Sequence, residues 1–286
     1  MEMEDTFITM DEHGMLEKPR DLPATAERRI IIIDGANLLH QAHAECSKLN
    51  PPDSAADTRK DLVHLLAVIR YFLRNDFNVI TVLQPKYTRP RHVRNEFICK
   101  PLERLGLLVI PPKPVYDDLL LLRMAVDLDG VVCSHDNFGQ EYELSKSKAY
   151  KRIIQTRKLT PACRFVRDPR HHNKLSFDGH FITKFHISFE NPSRHYLTEA
   201  LFSTPNLARH EITLYTGQKW DAGSRERSIE FIDRLLEICL QEGGPRPARR
   251  QSLPAPSGNR RRRDGRSRGP TPSHQYQNDD EVEDGW

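Results

Sequence analysis

The chain has 286 residues, 37% of them hydrophobic and 29% charged, with a formal net charge of +3. That is room for one large domain with extensions, and it is leaner in apolar residues than one compact domain, so part of the length reads as tail. No run approaches the roughly eighteen apolar residues of a membrane span, and the acidic start, Met1 to Lys18, has no apolar run of the signal-peptide kind and is not expected to be one. The five cysteines, Cys46, Cys99, Cys133, Cys163 and Cys239, are scattered without CxxC or zinc-finger spacing. They read as free thiols of a reducing compartment, which favours the cytoplasm and leaves the nucleus open.

Residues 1–27 are charged and aperiodic and read as a flexible arm. Ile30 to Ile33 is a run of β-branched residues, as in a strand buried on both faces of a parallel sheet, and it ends at Asp34-Gly35-Ala36-Asn37. Residues 40–57, with Pro51-Pro52, read as a loop. A helix follows from about Arg59 to Arg74, capped by Asp57 or Thr58, with Leu62, Leu65, Leu66, Ile69, Phe72 and Leu73 at helical spacing. Val79 to Leu83 is a second strand, followed by a basic loop from Lys86 to Arg94. Asn95 to Leu105 reads as a helix that Pro101 must kink or split, closed by Gly106. Leu107 to Ile110 is a third strand. Asp117 or Asp118 caps a helix through about Val126, Asp129-Gly130 is a turn, and Val131 to Cys133 is a fourth strand. A basic helix over 142–158 follows, with Leu144, Tyr150, Ile153 and Ile154 inward, then a candidate fifth strand at Cys163–Val166. Phe177 to Phe189 alternates like a hairpin or edge strand, and Ser224 to Leu240 is an amphipathic helix. From Gly243 to Trp286 the composition predicts disorder.

Strands alternating with helices over short loops predict an α/β sandwich with a central parallel sheet, whose site lies beyond the carboxyl ends of the strands. Asp34, the Asp117-Asp118 pair and Asp136 all fall just past strands and are expected to converge on that edge. Two unpaired carboxylates about 4 Å apart repel by roughly 4 kcal/mol at an effective dielectric near 20, so such a cluster calls for a cation. Oxygen-only ligands select Mg²⁺ or Mn²⁺ over zinc, and such an ion suits hydrolysis of a phosphodiester. Spacing alone leaves open that each acid is a separate cap or loop residue.

Asp34-Gly35-Ala36-Asn37 after a buried strand, Tyr116-Asp117-Asp118 opening a helix, and Asp129 to Asp136 (DGVVCSHD) together resemble the NYN branch of PIN-like ribonucleases, closest to the Regnase (MCPIP) endoribonucleases. The similarity runs from about Arg29 to Asp168. It implies a PIN-like Rossmannoid three-layer sandwich over residues 28–190 that cleaves single-stranded RNA with Mg²⁺, leaving a 5′-phosphate and a 3′-hydroxyl. Residues 191–242 would then be a helical extension and 243–286 a tail. The resemblance implies metal held by Asp34, Asp118 and Asp136, with Asn37 and Asp117 completing the catalytic set, and RNA held by Lys86, Arg89 and Arg91. It also implies a place in mRNA decay or RNA silencing, including ribonucleoprotein granules. Three features depart from the family. Gln140, with Glu141 next to it, stands where a further Asp is frequent, which bears on metal affinity and on a second metal. The basic segment before Tyr116 is cut to Pro111–Val115, and there is no CCCH zinc finger.

Two rival readings are a NYN scaffold that binds RNA or protein without cutting, and a HAD-type phosphatase opened by Asp127-Leu128-Asp129-Gly130-Val131-Val132. The phosphatase would need that motif after its first strand and a further acidic pair at a later strand end, which the sequence lacks. Thr216-Gly217-Gln218-Lys219 lacks P-loop spacing, and the histidines His171, His172, His180, His186 and His195 have no metal spacing. The tail carries nine arginines between Arg246 and Arg268, with Arg260, Arg261, Arg262 and Arg263 consecutive, and predicts weak, salt-sensitive RNA affinity. The helix over 225–240 is a candidate for protein partners or a homodimer, or else packs on its own domain.

Overall fold

The computed structural model describes residues 22–47, 58–112, 117–139, 146–167, 182–189, 194–219 and 221–240. The expectations for Tyr116, Gln140, Glu141, Leu144, the residues before 22 and the Arg-rich tail lie outside them. In chain order the elements are β1 (Glu27–Arg28), β2 (Ile31–Asp34), α1 (Gly35–Ser47), β3 (Lys60–Asp61), α2 (Val63–Arg74), β4 (Val79–Val82), β5 (Val93–Arg94) and α3 (Cys99–Arg104). There follow β6 (Leu108–Val109), α4 (Asp117–Asp127), β7 (Val131–Cys133), α5 (Lys148–Thr156), β8 (Lys158–Leu159), β9 (Pro161–Arg167) and β10 (Ile182–Phe189). The described chain closes with α6 (Arg194–Leu201), β11 (Phe202–Ser203), α7 (His210–Lys219) and α8 (Ala222–Leu240).

Five strands form one sheet in the order β6-β4-β2-β7-β8, every neighbouring pair parallel. Ile31, Ile32 and Ile33 of the central strand are fully enclosed, as a strand covered on both faces must be. On one face α1 and α2 supply Leu38, Leu39, Leu65, Ile69 and Phe72. On the other, Ile32 and Val132 meet Leu121, Leu122 and Ala125 of α4 and Ile153 of α5. This is the α/β architecture with a parallel sheet that the alternation of strands and helices predicts.

Five local expectations change. The basic helix expected over 142–158 is helix at Lys148–Thr156, where the Ser147 hydroxyl caps it by accepting the Tyr150 N–H at 3.4 Å, and Lys158 already belongs to β8. The loop expected from residue 40 is helix as far as Ser47, because Leu38, Leu39 and Ala42 bury the inner face of α1. The helix expected from Arg59 begins at Val63, because Lys60–Asp61 pairs in parallel with β5 and the Asp61 carboxylate accepts the Val63 N–H at 3.0 Å. Pro101 stands in the first turn of α3, after a 3₁₀ turn at Glu96–Ile98, where no intrahelical donor is required of it, and Gly106 at φ 71° closes that segment. The fifth strand of the sheet is Lys158–Leu159, paired with β7, whereas Pro161–Arg167 leaves the sheet to pair antiparallel with β10.

Residues 194–240 contribute to the same core. Leu197, Ala200, Leu201, Phe202, Ile232 and Leu235 belong to the cluster around α1 and α2. The helix α8 lies along α2, and Asp233 takes ion pairs from Arg70 and, at 3.6 Å, from Arg74. At the amino edge of the sheet Asp129 is fully buried between Arg29, at 3.1 Å, and Arg157, and it accepts the Thr213 hydroxyl at 2.9 Å. Arg29 also donates to the carbonyls of Glu199 and Phe202, so one buried network ties α6, β11 and α7 to the sheet. Burial and the nearby Arg157 charge pull the Arg29 guanidinium down to about 10, against the opposing pull of Asp129.

Candidate metal and RNA site

At the carboxyl edge, β2 ends in Asp34 and the chain turns at once into α1. The Asp34 carboxylate accepts the Asn37 N–H at 2.9 Å, the bond of a helix N-cap. Its second oxygen accepts the Ser134 hydroxyl at 2.8 Å. Gly35 is required between them. A Cβ there would meet Thr81 Cγ2 and the Val82 carbonyl oxygen at 2.9 Å, so only glycine lets α1 start this close to β4.

The loop after β7 is built onto the same residues. Asn37 Oδ1 accepts the His135 N–H at 3.0 Å, and Ser134 Oγ accepts the Asp136 N–H at 3.0 Å. The Asp136 carboxylate accepts the Phe138 N–H at 2.9 Å, and Lys158 Nζ donates to the Asp136 carbonyl at 2.8 Å. Phe138 is fully buried with φ at 51°, so the loop is anchored while Asp136 itself stays exposed. From the next strand over, Gln84 Nε2 donates to Asp117 Oδ2 at 2.6 Å, orienting the first residue of α4.

Asp34, 4% exposed, is the electrostatic centre. Burial pushes its carboxyl from 3.8 up to about 6; the Asn37 and Ser134 bonds oppose this, and the charges of Asp117 and Asp136 add to it. The charges of Asp117 and Asp136 thus both reach Asp34. Of the adjacent pair, Asp117 is the one whose charge appears at Asp34, and Asp118 stands half-buried beside it. The HAD motif falls at the wrong end: Asp127 and Asp129 precede β7, and Asp129 is enclosed by two arginines.

Among the described residues no three His, Cys, Asp or Glu side chains stand close enough to enclose an ion by themselves. Mg²⁺ does not need that, since it keeps several waters and takes one or two carboxylates. An oxygen-only set around an acid raised by burial and then by its acidic neighbours fits such an ion. Beside the acids, Tyr87 is 3% exposed, and the charges of Asp117 and Asp34, after burial, raise its hydroxyl. Lys86, Arg89 and Arg91 lie on the adjoining loop, all exposed. Sequence reasoning missed Ser134, Gln84, Lys158 and Tyr87. Ser134 was legible only as part of a motif, and the other three come from neighbouring strand ends with no spacing to link them.

A parallel five-stranded sheet flanked by helices is the plan of a PIN-like NYN fold. The chain belongs to the family of Zc3h12a-like ribonuclease NYN domains, whose model matches residues 27–174. No curated protein matches the chain.

Proposed function

We propose that the chain is a Mg²⁺-dependent endoribonuclease acting on single-stranded RNA, with Mn²⁺ as a substitute. The observation that carries the reading is Asp34: a carboxylate whose charged form is disfavoured first by burial and then by the charges of Asp117 and Asp136, in a ribonuclease-family domain. Asp34, Asp136 and the Asp117-Asp118 pair would hold the ion. Bound there, it would supply Lewis acidity at the scissile phosphate and an activated water.

The chain's own residues set the geometry. Asn37 holds the backbone of His135 and Ser134 bridges Asp34 to the Asp136 N–H, so α1 and the β7 loop are fixed as one unit. Gln84 fixes Asp117, so the opening of α4 is tied to the end of β4. A donor network of this kind keeps the acids positioned before substrate arrives. Lys86, Arg89 and Arg91 contribute charge to the strand's phosphates, and Arg260–Arg263 add sequence-independent affinity.

The test is cleavage of a circular single-stranded RNA, which offers no ends to an exonuclease. Linearisation in Mg²⁺, abolished by EDTA and by Asp136→Asn, is expected. Intact circles in both Mg²⁺ and Mn²⁺, retained by the folded protein in a binding assay, would favour the non-cutting scaffold instead.

A further inference from the structure

A second cluster lies on the α1 side of the acids. Tyr87 presents its hydroxyl to His40 Nε2 at 2.6 Å, and the two rings meet edge-on with centroids 6.0 Å apart. Two ammonium groups flank the same Tyr87 ring, Lys86 Nζ at 4.9 Å and Lys60 Nζ at 5.4 Å from its centroid. They come from different elements, Lys60 from β3 and Lys86 from the 3₁₀ turn Pro85–Thr88. Among the described residues neither lysine forms an ion pair with an acid.

The cations act on one another. His40 is held below its usual range by burial first and then by Lys60, Lys86 and His43; Lys60 is lowered by burial and then by Lys86. Two like charges gathered around one ring, neither ion-paired to an acid among the described residues, repel each other, and a cation–π contact worth about 0.5–1 kcal/mol at exposed sites offsets only part of this. A polyanion would relieve it. The same positive charge extends to His92, which is lowered by burial and then by Arg91, Arg89, Lys86 and Lys60. The same Tyr87 hydroxyl is raised by burial and then by the charges of Asp117 and Asp34.

We propose that Lys60, Lys86 and His40, set around the Tyr87 ring, form a second phosphate subsite that grips a neighbouring backbone phosphate of the RNA strand whose scissile bond lies at the acids. Lys60 and Lys86 supply charge, and His40 supplies the second ring nitrogen. The buried Tyr87 is the floor that holds the three together. This rests on the nuclease reading for the identity of the strand. The subsite fixes the path of that strand on one side of the cut, which makes its members positioning residues.

The experiment is equilibrium binding of a labelled single-stranded RNA to the full chain in EDTA, where no cutting occurs, over a series of salt concentrations. Lys60→Gln with Lys86→Gln is expected to weaken binding about tenfold at low salt. It should also flatten the slope of log K against log salt by about 1.4, two phosphate contacts at roughly 0.7 each for a single strand. Lys60→Arg with Lys86→Arg should keep the wild-type slope, and Arg123→Gln, which removes an exposed charge on α4, should also keep it. Lys86→Gln alone, at an exposed position, should lose about half the slope change even if the double variant unfolds. A wild-type slope in Lys86→Gln and in a folded double variant would overturn the subsite. Cleavage in Mg²⁺ is scored separately. A chain that cuts with no change of slope loses the subsite alone, and one that never cuts but loses slope loses the nuclease reading alone.

Discussion

Asp34 and Asp129 are buried at opposite edges of the same sheet, in opposite company. Asp129, at the amino edge, lies between Arg29 and Arg157 and takes a third bond from Thr213. Asp34, at the carboxyl edge, has a hydroxyl and a backbone N–H, and the charges that act on it are the acids Asp117 and Asp136. A buried carboxylate among cations is held for structure. One buried beside carboxylates is disfavoured as an anion, by burial first and then by their charge, and a cation or a proton relieves it. Burial does not separate the two; the sign of the neighbouring charge does.

The sharpest way to break this contrast is to neutralise each acid. Asp129→Asn leaves Arg29 and Arg157 without their counter-charge and should destabilise the protein by about 3–5 kcal/mol, read as a drop in the denaturant midpoint. Asp34→Asn should act in the opposite direction. Asp34 titrates at about 6 folded against 3.8 ordinarily, so the folded state takes up the proton first. The strain of its charge is fully present above pH 6, and stability is regained as pH falls from 6 toward 3.8. Removing the charge should therefore stabilise the metal-free protein by on the order of 1–3 kcal/mol at pH 8 and by almost nothing at pH 4, while cleavage is lost. Cleavage at limiting Mg²⁺ should also fall as pH drops through 6, because the ion and the proton compete for the same carboxylate.

Smaller effects sharpen the carboxyl edge. Gly35→Ala forces a methyl against Thr81 and the Val82 carbonyl, both at 2.9 Å, and should cost about 1–3 kcal/mol of stability as well as displacing Asp34. Asn37→Ala frees the His135 backbone at a half-buried position. It should lower kcat by about ten- to a hundredfold, with at most about 1 kcal/mol lost on unfolding, the order of a single hydrogen bond. Unchanged kcat in that variant would remove Asn37 from the positioning network.

The sheet was legible because its evidence is local. The run Ile30–Ile33 and the paired valines at 131–132 are too apolar for an edge strand, and the acids follow the strands directly. Helix α1 was not legible. Its cap is the last residue of a strand, and the polar residues over 40–47 hide a short buried stripe of Ala36, Leu38, Leu39 and Ala42. The short strands Lys60–Asp61 and Lys158–Leu159 carry no period of their own and exist through partners elsewhere in the chain. At the site, Asp34, Asn37, Asp117 and Asp136 could be found because they stand in short motifs. Asp129 read as a turn residue, and its φ of 51° agrees, but its two arginines come from 100 residues before and 28 after. No spacing rule links them. The same holds for Lys60 and Lys86, brought to one ring from different elements.

The measurement closest to the central claim is Mn²⁺ binding followed by water-proton relaxation on the wild-type chain, Asp34→Asn and Asp136→Asn, at pH 8 without RNA. The contrast between the two edges predicts an enhanced relaxation signal in the wild type that is displaced by Mg²⁺. It should be lost in Asp34→Asn and weakened in Asp136→Asn, with all three proteins folded. Equal Mn²⁺ binding by the wild type and Asp34→Asn would contradict it, and would leave Asp34 as no more than the cap of α1.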